Sequence, residues 1–340
     1  MLLSCAVCLV GALLLLYPSC ACAQTAVLWP DETGDYPNIQ SAVSAMPDGS
    51  TIYLLPGTFS GPGNAGVGWA GKNLSIRVFG AAGSAIIDCE GAGRAIHVGA
   101  GVDSSSVIGG LTFLNGSPGN GSGGAIDCLN AGPLILDCTF RDNSAIYGGA
   151  VRSRGEPAPS LEGCVFIGNS ATYGGALNAT DGHVRVARST FGDNVASRGG
   201  AVYFRDANAI LERVTLCRNS ASLGSAVWMD SSTALIEQCV VAFNLTNEAL
   251  VGEESSETFH CYVFGNCDGD AVDGNAHDNE VDDPLLCDLE ASDYHPCQNS
   301  PCLPSSNPWG LHVGHLANGC TACLSAVRPT SWGAIKALYR

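Results

Sequence analysis

The sequence predicts an all-β fold: a single-stranded right-handed parallel β-helix, a solenoid with an N-terminal helical cap and a cysteine-rich C-terminal cap. Three observations predict it. Glycine supplies 43 of the 340 residues and charged residues only 14%, which suits tight turns between short strands and not long surface helices. The string Gly123-Gly124-Ala125-Ile126 returns at Gly148, Gly174, Gly199 and, as Gly224-Ser225-Ala226-Val227, at Gly224, in steps of 25, 26, 25 and 25 residues. A second string, Phe140-Arg141-Asp142-Asn143, returns in steps of 26, 25, 25 and 25 at Phe166, Phe191, Leu216 and Val241. Each unit is too short to close a core alone, so the units must stack and pair strand on strand.

Residues 1–23 read as an export signal: an apolar run over 8–16, Pro18 and the small-residue site Ala21-Cys22-Ala23 predict cleavage before Gln24. A lipidation signal at Cys20 or Cys22 fits less well. No later stretch has the character of a membrane span, and the expected destination is secretion or a bacterial cell surface, with outer-membrane association as a variant. Of 17 cysteines, four lie in the signal, leaving 13, and seven of these fall from Cys261 onward. Export makes disulfides reasonable there, and the odd number leaves one thiol single or paired between chains.

Residues 24–48 are expected to cap the open strand edge at the start of the stack. Pro37 suits the first turn of a helix that gathers Ile39, Ala42, Val43 and Met46 on one face. Residues 49–250 form the β-helix. Ile126, Val151, Leu177, Val202 and Val227 make one inward column, and Cys128, Ser153, Ala179, Phe204 and Met229, two residues on, make another. Asn143, Asn169, Asn194, Asn219 and Asn244 fall in one column at a turn, where amides can bond from coil to coil and tolerate left-handed backbone. Cys138, Cys164 and Cys239 read as small buried hydrophobes. Residues 51 to 244 give roughly eight coils, a stack of roughly 38 Å. Residues 251–325 are the acidic, cysteine-rich C-terminal cap, and 326–340 a tail that serves as sorting remnant or linker.

The string Asp35-Tyr36-Pro37-Asn38-Ile39-Gln40-Ser41-Ala42-Val43, with Pro56-Gly57-Thr58-Phe59, resembles the opening segment of the pectin lyase-like β-helix superfamily. The two repeated strings resemble those of the polymorphic outer membrane proteins of chlamydiae and related bacterial β-helix repeat proteins. Together the resemblances span roughly residues 30 to 245. Autotransporter-type relatives end in a large membrane barrel, but here fewer than 100 residues follow the last repeat, so no such barrel is expected. The segment from Asp283 through Cys297, Cys302 and Trp309 to Cys320 is similar to the closing region of secreted bacterial β-helix proteins.

Function is less legible. The net charge is −17, yet nine of the 15 basic residues lie between Arg141 and Arg218, whereas residues 219 to 327 hold 16 acidic residues and no Lys or Arg. Nucleic acid is not an expected partner of the acidic part, since phosphate binding needs clustered cations. The resemblance implies calcium with an Arg base for pectate lyases, paired Asp with Arg for pectinesterases and an Asp cluster for polygalacturonases. None of those signature strings is present, and Asp181-Gly182-His183 and Ala276-His277-Asp278, the nearest fragments, read as turns.

Two outward columns carry the functional expectation. Asp127, Arg152, Asn178, Tyr203 and Trp228 share one; Leu129, Arg154, Thr180, Arg205 and Asp230 share the next. Arg152, Arg154, Tyr203, Arg205 and Trp228 would set flat aromatic faces beside guanidinium groups, which suits binding of an acidic sugar chain. The plain alternative is an ordinary solvated sheet face. Asp268, Asp270 and Asp273 crowd oxygens suited to calcium, although the spacing departs from the EF-hand and a solvated acidic loop is an equal reading. Zinc at Cys320 and Cys323 yields to disulfide formation in an exported chain. The expectation is therefore a non-catalytic secreted or surface β-helix that binds polysaccharide or another surface. A lyase or hydrolase on acidic polysaccharide, with Arg152, Arg154 or Arg205 acting beside Asp127, Asp206 or Asp230, is the rival; a structural spacer is the third reading.

Overall fold

The computed structural model describes residues 22–252, 257–266, 275–315 and 319–320. All but the end of the expected signal, and the whole 326–340 tail, lie outside the described residues. What is described is a parallel β-solenoid of about nine turns.

Four central coils each run through four short strands. From Leu134–Leu136 the chain turns into Thr139–Arg141, then Ser144–Tyr147 and, past Gly148-Gly149, Val151–Arg154; Ser160–Glu162 then pairs beside Leu134–Leu136 to begin the next coil. Stacking these positions gives a first sheet of 11 strands, a second of nine, a third of eight and a short fourth of four, paired in parallel. The stack extends past the eight expected coils because Tyr262–Phe264 adds a further strand to the second sheet.

Alternation along each strand sends one residue set inward. Phe113, Phe140, Phe166 and Phe191 stack down the interior with ring centroids 5.1, 4.6 and 4.5 Å apart, all fully buried. The corner after the second sheet is turned by one left-handed residue, at Asp142, Gly168, Asp193, Arg218 and Phe243. That geometry costs a non-glycine residue roughly 1–2 kcal/mol. The sequence expects it at the asparagine column; the structure places it one residue earlier, and each asparagine follows it as the buried anchor. Asn143 donates to Asn169 Oδ1 through its backbone N at 3.1 Å and its Nδ2 at 3.0 Å, and the same Nδ2 donates to the Phe113 carbonyl at 3.2 Å. The pattern repeats through Asn194, Asn219 and Asn244 and continues to Asn266, a member the sequence reading missed.

The second glycine of each pair is dictated by close approach. A Cβ on Gly149 would lie 2.1 Å from the Gly175 carbonyl oxygen, and one on Gly175 2.1 Å from that of Gly200. Ser225 breaks the pattern where the next coil is irregular, and its hydroxyl bonds the Asn247 and Glu248 carbonyls, each at 3.3 Å.

At the start of the stack the helix α1 (Ile39–Ala45) buries Ile39, Ala42 and Val43, with Asn38 as its N-cap. Gln40 gives the edge strand Val67–Trp69 what a neighbouring strand would give: its Oε1 accepts from Gly68 N at 2.7 Å and its Nε2 donates to Gly68 O at 3.3 Å. Lys72 caps the other helix end through the Val43 and Met46 carbonyls, at 2.6 and 2.7 Å.

The cysteine-rich segment runs along a flank of the stack and not simply across its end. Leu286–Asp288 and Asp293–Pro296 form an antiparallel pair, and Cys287 is joined to Cys320. Tyr294 sits on Gly192 of the second sheet, and its hydroxyl meets Asp193. Val240, Ala242, Tyr262, Cys302 and Val313 form a second small core there. The physical reason lies on the outward side of the second sheet, where Val240, Ala242 and Tyr262 are apolar and need cover.

Candidate binding groove

The third sheet aligns the two expected outward columns. Its register runs His97, Asp127, Arg152, Asn178, Tyr203 and Trp228 in one file, and Leu129, Arg154, Thr180, Arg205 and Asp230 in the next. The fourth sheet, directly before the glycine pairs, raises a ledge beside them. There Tyr147 stacks on Tyr173 at 5.2 Å and 9°, and the Arg198 guanidinium lies 5.7 Å from the Tyr173 ring centre.

Between ledge and sheet lie two adjoining hollows of about 300 and 260 Å³. Tyr147, Asn178, Thr180 and Arg205 line both; Arg152, Arg154, Asp181 and Asp206 complete one, and Tyr173, Arg198, Tyr203 and Asp230 the other. Asn178 is buried in the floor, its Oδ1 accepting from Thr180 Oγ1 at 3.3 Å and its Nδ2 without a partner. Four arginines thus converge on a trough with a tyrosine wall, an arrangement suited to planar carboxylate recognition beside ring stacking.

The expected residues are not placed alike. Arg154 and Arg205 are exposed, and Arg205 Nε lies 3.4 Å from Asp206. Arg152 is partly engaged with Asp127 at 3.4 Å. Tyr203, expected to be an exposed face, is only 3% exposed; its hydroxyl donates to Asp230 at 2.9 Å, and burial followed by that bond pushes its pKa up to about 12. Trp228 is partly buried, its Nε1 lacks a partner, and it lines neither hollow. The residues that the sequence reading missed are Tyr147, Tyr173 and Arg198. Their signal was present, since each immediately precedes a glycine pair.

Next to the groove Asp127 gathers Arg94, His97 and Arg152. Its Oδ2 meets Arg94 Nη1 and lies 3.2 Å from His97 Nδ1. Burial would raise this carboxyl, but the His97 bond and the charges of Arg94 and Arg152 hold it below the usual carboxylate range. The candidate calcium ligands Asp268, Asp270 and Asp273 lie outside the described residues, as does Cys323. Cys297 Sγ approaches Cys320 Sγ at 3.3 Å, but Cys320 is spent in the bridge to Cys287. Of the turn fragment, Asp181 lines one hollow, while His183 bonds Glu156 at 2.7 Å in an exposed position.

Residues 124–284 match the family described as right handed beta helix region. The chain is a right-handed parallel β-helix. Its parallel sheets and corner-turning coils are those of a β-solenoid. No curated protein matches this β-helix by sequence. Among solved structures it is similar to a pectate lyase, at 11% identity over 87% of this chain and 96% of that one, TM-score 0.41. It is also similar to a mannuronic acid specific polysaccharide family 6 lyase from human gut microbiota, at 10% identity over 75% and 83%, TM-score 0.22. No described helix is long and apolar enough to cross a membrane.

Proposed function

We propose that this β-helix is a non-catalytic binding module, secreted or held at a cell surface, whose lateral groove takes an acidic polysaccharide. The observation that carries the reading is the convergence of Arg152, Arg154, Arg198 and Arg205 on a trough walled by Tyr147 and Tyr173. Arg154 and Arg205 stand two strands apart on one file, about 10 Å by the spacing of paired strands. A polyanion lying across the strands would meet both, while its sugar rings rest on the tyrosine ledge. Export rests on the leading residues and accords with a Cys287–Cys320 disulfide. In this reading α1 closes the first strand edge, and the cysteine-rich segment shields the other end and one flank.

A second reading, elimination on the same class of chain, has one observation in its favour: His97 is held through Nδ1 by buried Asp127, next to Arg152 of the groove. This leaves Nε2 as a base beside a carboxylate-binding guanidinium. The test is to offer purified residues 24–340 pectic, alginate and glycosaminoglycan chains, with and without calcium, following binding and the ultraviolet absorbance of unsaturated uronate. Binding without product supports the module. Product that disappears in His97→Ala moves the assignment to a lyase, and neither signal leaves a spacer.

A further inference from the structure

The outer face of the second sheet is covered over its later coils by the segment running from Leu286 to His315. Gly192, Cys217 and Ala242 follow one another on one outward column, and Thr190, Thr215 and Val240 on the other. Cys217 and Ala242 are fully shielded although they point away from the core. Tyr294 covers Gly192, and Gly314 packs on Thr215 and Val240. The Cys287–Cys320 bridge closes this segment on itself across 33 residues.

Its two margins are held differently. At one, charges are paired: Asp193 accepts from Ser292 Oγ at 2.7 Å and from Arg218 Nε at 2.8 Å, and Arg218 reaches Glu290 at 3.1 Å. At the other, His315 bonds Thr190 Oγ1 at 3.1 Å through Nδ1 and Thr215 Oγ1 at 3.2 Å through its backbone N. The charged groups that face it are Arg188, Arg213, His295 and His312, all cationic or able to become so. Arg188 is engaged by Glu162 and His295 by Asp293 at 2.6 Å. Arg213 and His312 have no such relief: Arg213 Nε and His312 Nδ1 are both buried without a partner. Burial first, and then the neighbouring guanidinium groups, hold His315 down to about 4 and His312 below its ordinary value.

We propose that this segment is an acid-released strap: protonation of His312 and His315, set against Arg188 and Arg213, lifts it from the second sheet and uncovers the apolar outer columns. Release starts at the histidine margin, because the Asp193 margin keeps its charges paired. Each histidine that takes its proton more readily when the strap is open raises the open fraction by up to about tenfold per pH unit below 6.5.

Cys217 is a built-in reporter. Cys138 and Cys164, buried inside the stack, report loss of the whole fold. The mature full chain is pulsed with 4,4′-dithiodipyridine, which reacts with thiols below neutrality, from pH 7.5 to 4.5, and modified peptides are mapped by mass spectrometry. Labelling of Cys217 should rise at least tenfold on acidification while Cys138 and Cys164 stay protected, and the rise should shrink in His315→Gln and in His312→Gln. Gly192→Ala, whose Cβ would collide with the Tyr294 ring, should expose Cys217 already at neutral pH. Labelling of Cys217 only together with Cys138 and Cys164, or an unchanged acid response in both histidine variants, overturns the proposal. Should His315→Gln fail to fold, the wild-type selectivity and His312→Gln decide it.

Discussion

Arg154 and Arg205 stand on one outward file of the third sheet, separated only by Thr180, with their guanidinium groups exposed and turned to the same trough. Neither is buried in a structural ion pair of the kind that ties Arg152 to Asp127. Arg154→Ala or Arg205→Ala should therefore weaken polyuronate binding about tenfold each, worth about 1.5 kcal/mol for a charge-assisted contact, and leave stability within about 0.5 kcal/mol. Titration calorimetry together with thermal unfolding checks both halves.

The asparagine ladder predicts a large structural effect at a position with no binding role. Asn194 Oδ1 accepts from both Asn169 N and Asn169 Nδ2, at 3.0 Å each, in a fully buried site. Asn194→Ala removes both bonds, strands the buried Asn169 N–H and should cost about 2–4 kcal/mol. Urea unfolding would show it as a lower midpoint at unchanged slope.

Close packing at the glycine pairs gives a position-specific contrast. Gly149→Ala places its Cβ against the Gly175 carbonyl and should destabilise by more than about 3 kcal/mol. Ser225→Gly, at the equivalent place of the last repeat, should cost less than about 1 kcal/mol. Thermal unfolding of the two variants side by side separates the geometric cause from simple sequence identity.

Acid should act on the Asp127 cluster with a definite sign. Its carboxyl is held below its unfolded value of 3.8, so its contribution is complete above that value and is lost as pH falls through the depressed folded value. Asp127→Ala leaves Arg94 and Arg152 facing each other and should cost about 2–4 kcal/mol near pH 7, with the gap to wild type narrowing below about pH 3.8. Chemical unfolding at a series of pH values measures that narrowing.

The repeat made the stack legible because its spacing is rigid: one coil fixes where every next residue falls, so the inward columns and the third-sheet files followed from counting alone. What counting does not provide is side-chain depth. Tyr203 and Trp228 share an outward file with Arg152, yet Tyr203 is buried, edge-on to Tyr173 and bonded to Asp230, contacts between coils that no single repeat displays. The left-handed corner was placed one residue late because Asn tolerates that geometry in general, whereas here its amide is needed inside. The course of the cysteine-rich segment along the second sheet was hidden for a related reason. Gly192 and Tyr294, which fix it, are more than 100 residues apart and belong to no shared pattern.

The most direct measurement of the central claim is calorimetric titration of a polyuronate chain into wild type, into the Arg154→Ala/Arg205→Ala double variant and into Arg141→Ala, an exposed arginine on the second sheet outside the groove. The groove predicts that binding is lost by about a hundredfold in the double variant, kept in Arg141→Ala, and weakened by salt. Equal binding by all three proteins would contradict it.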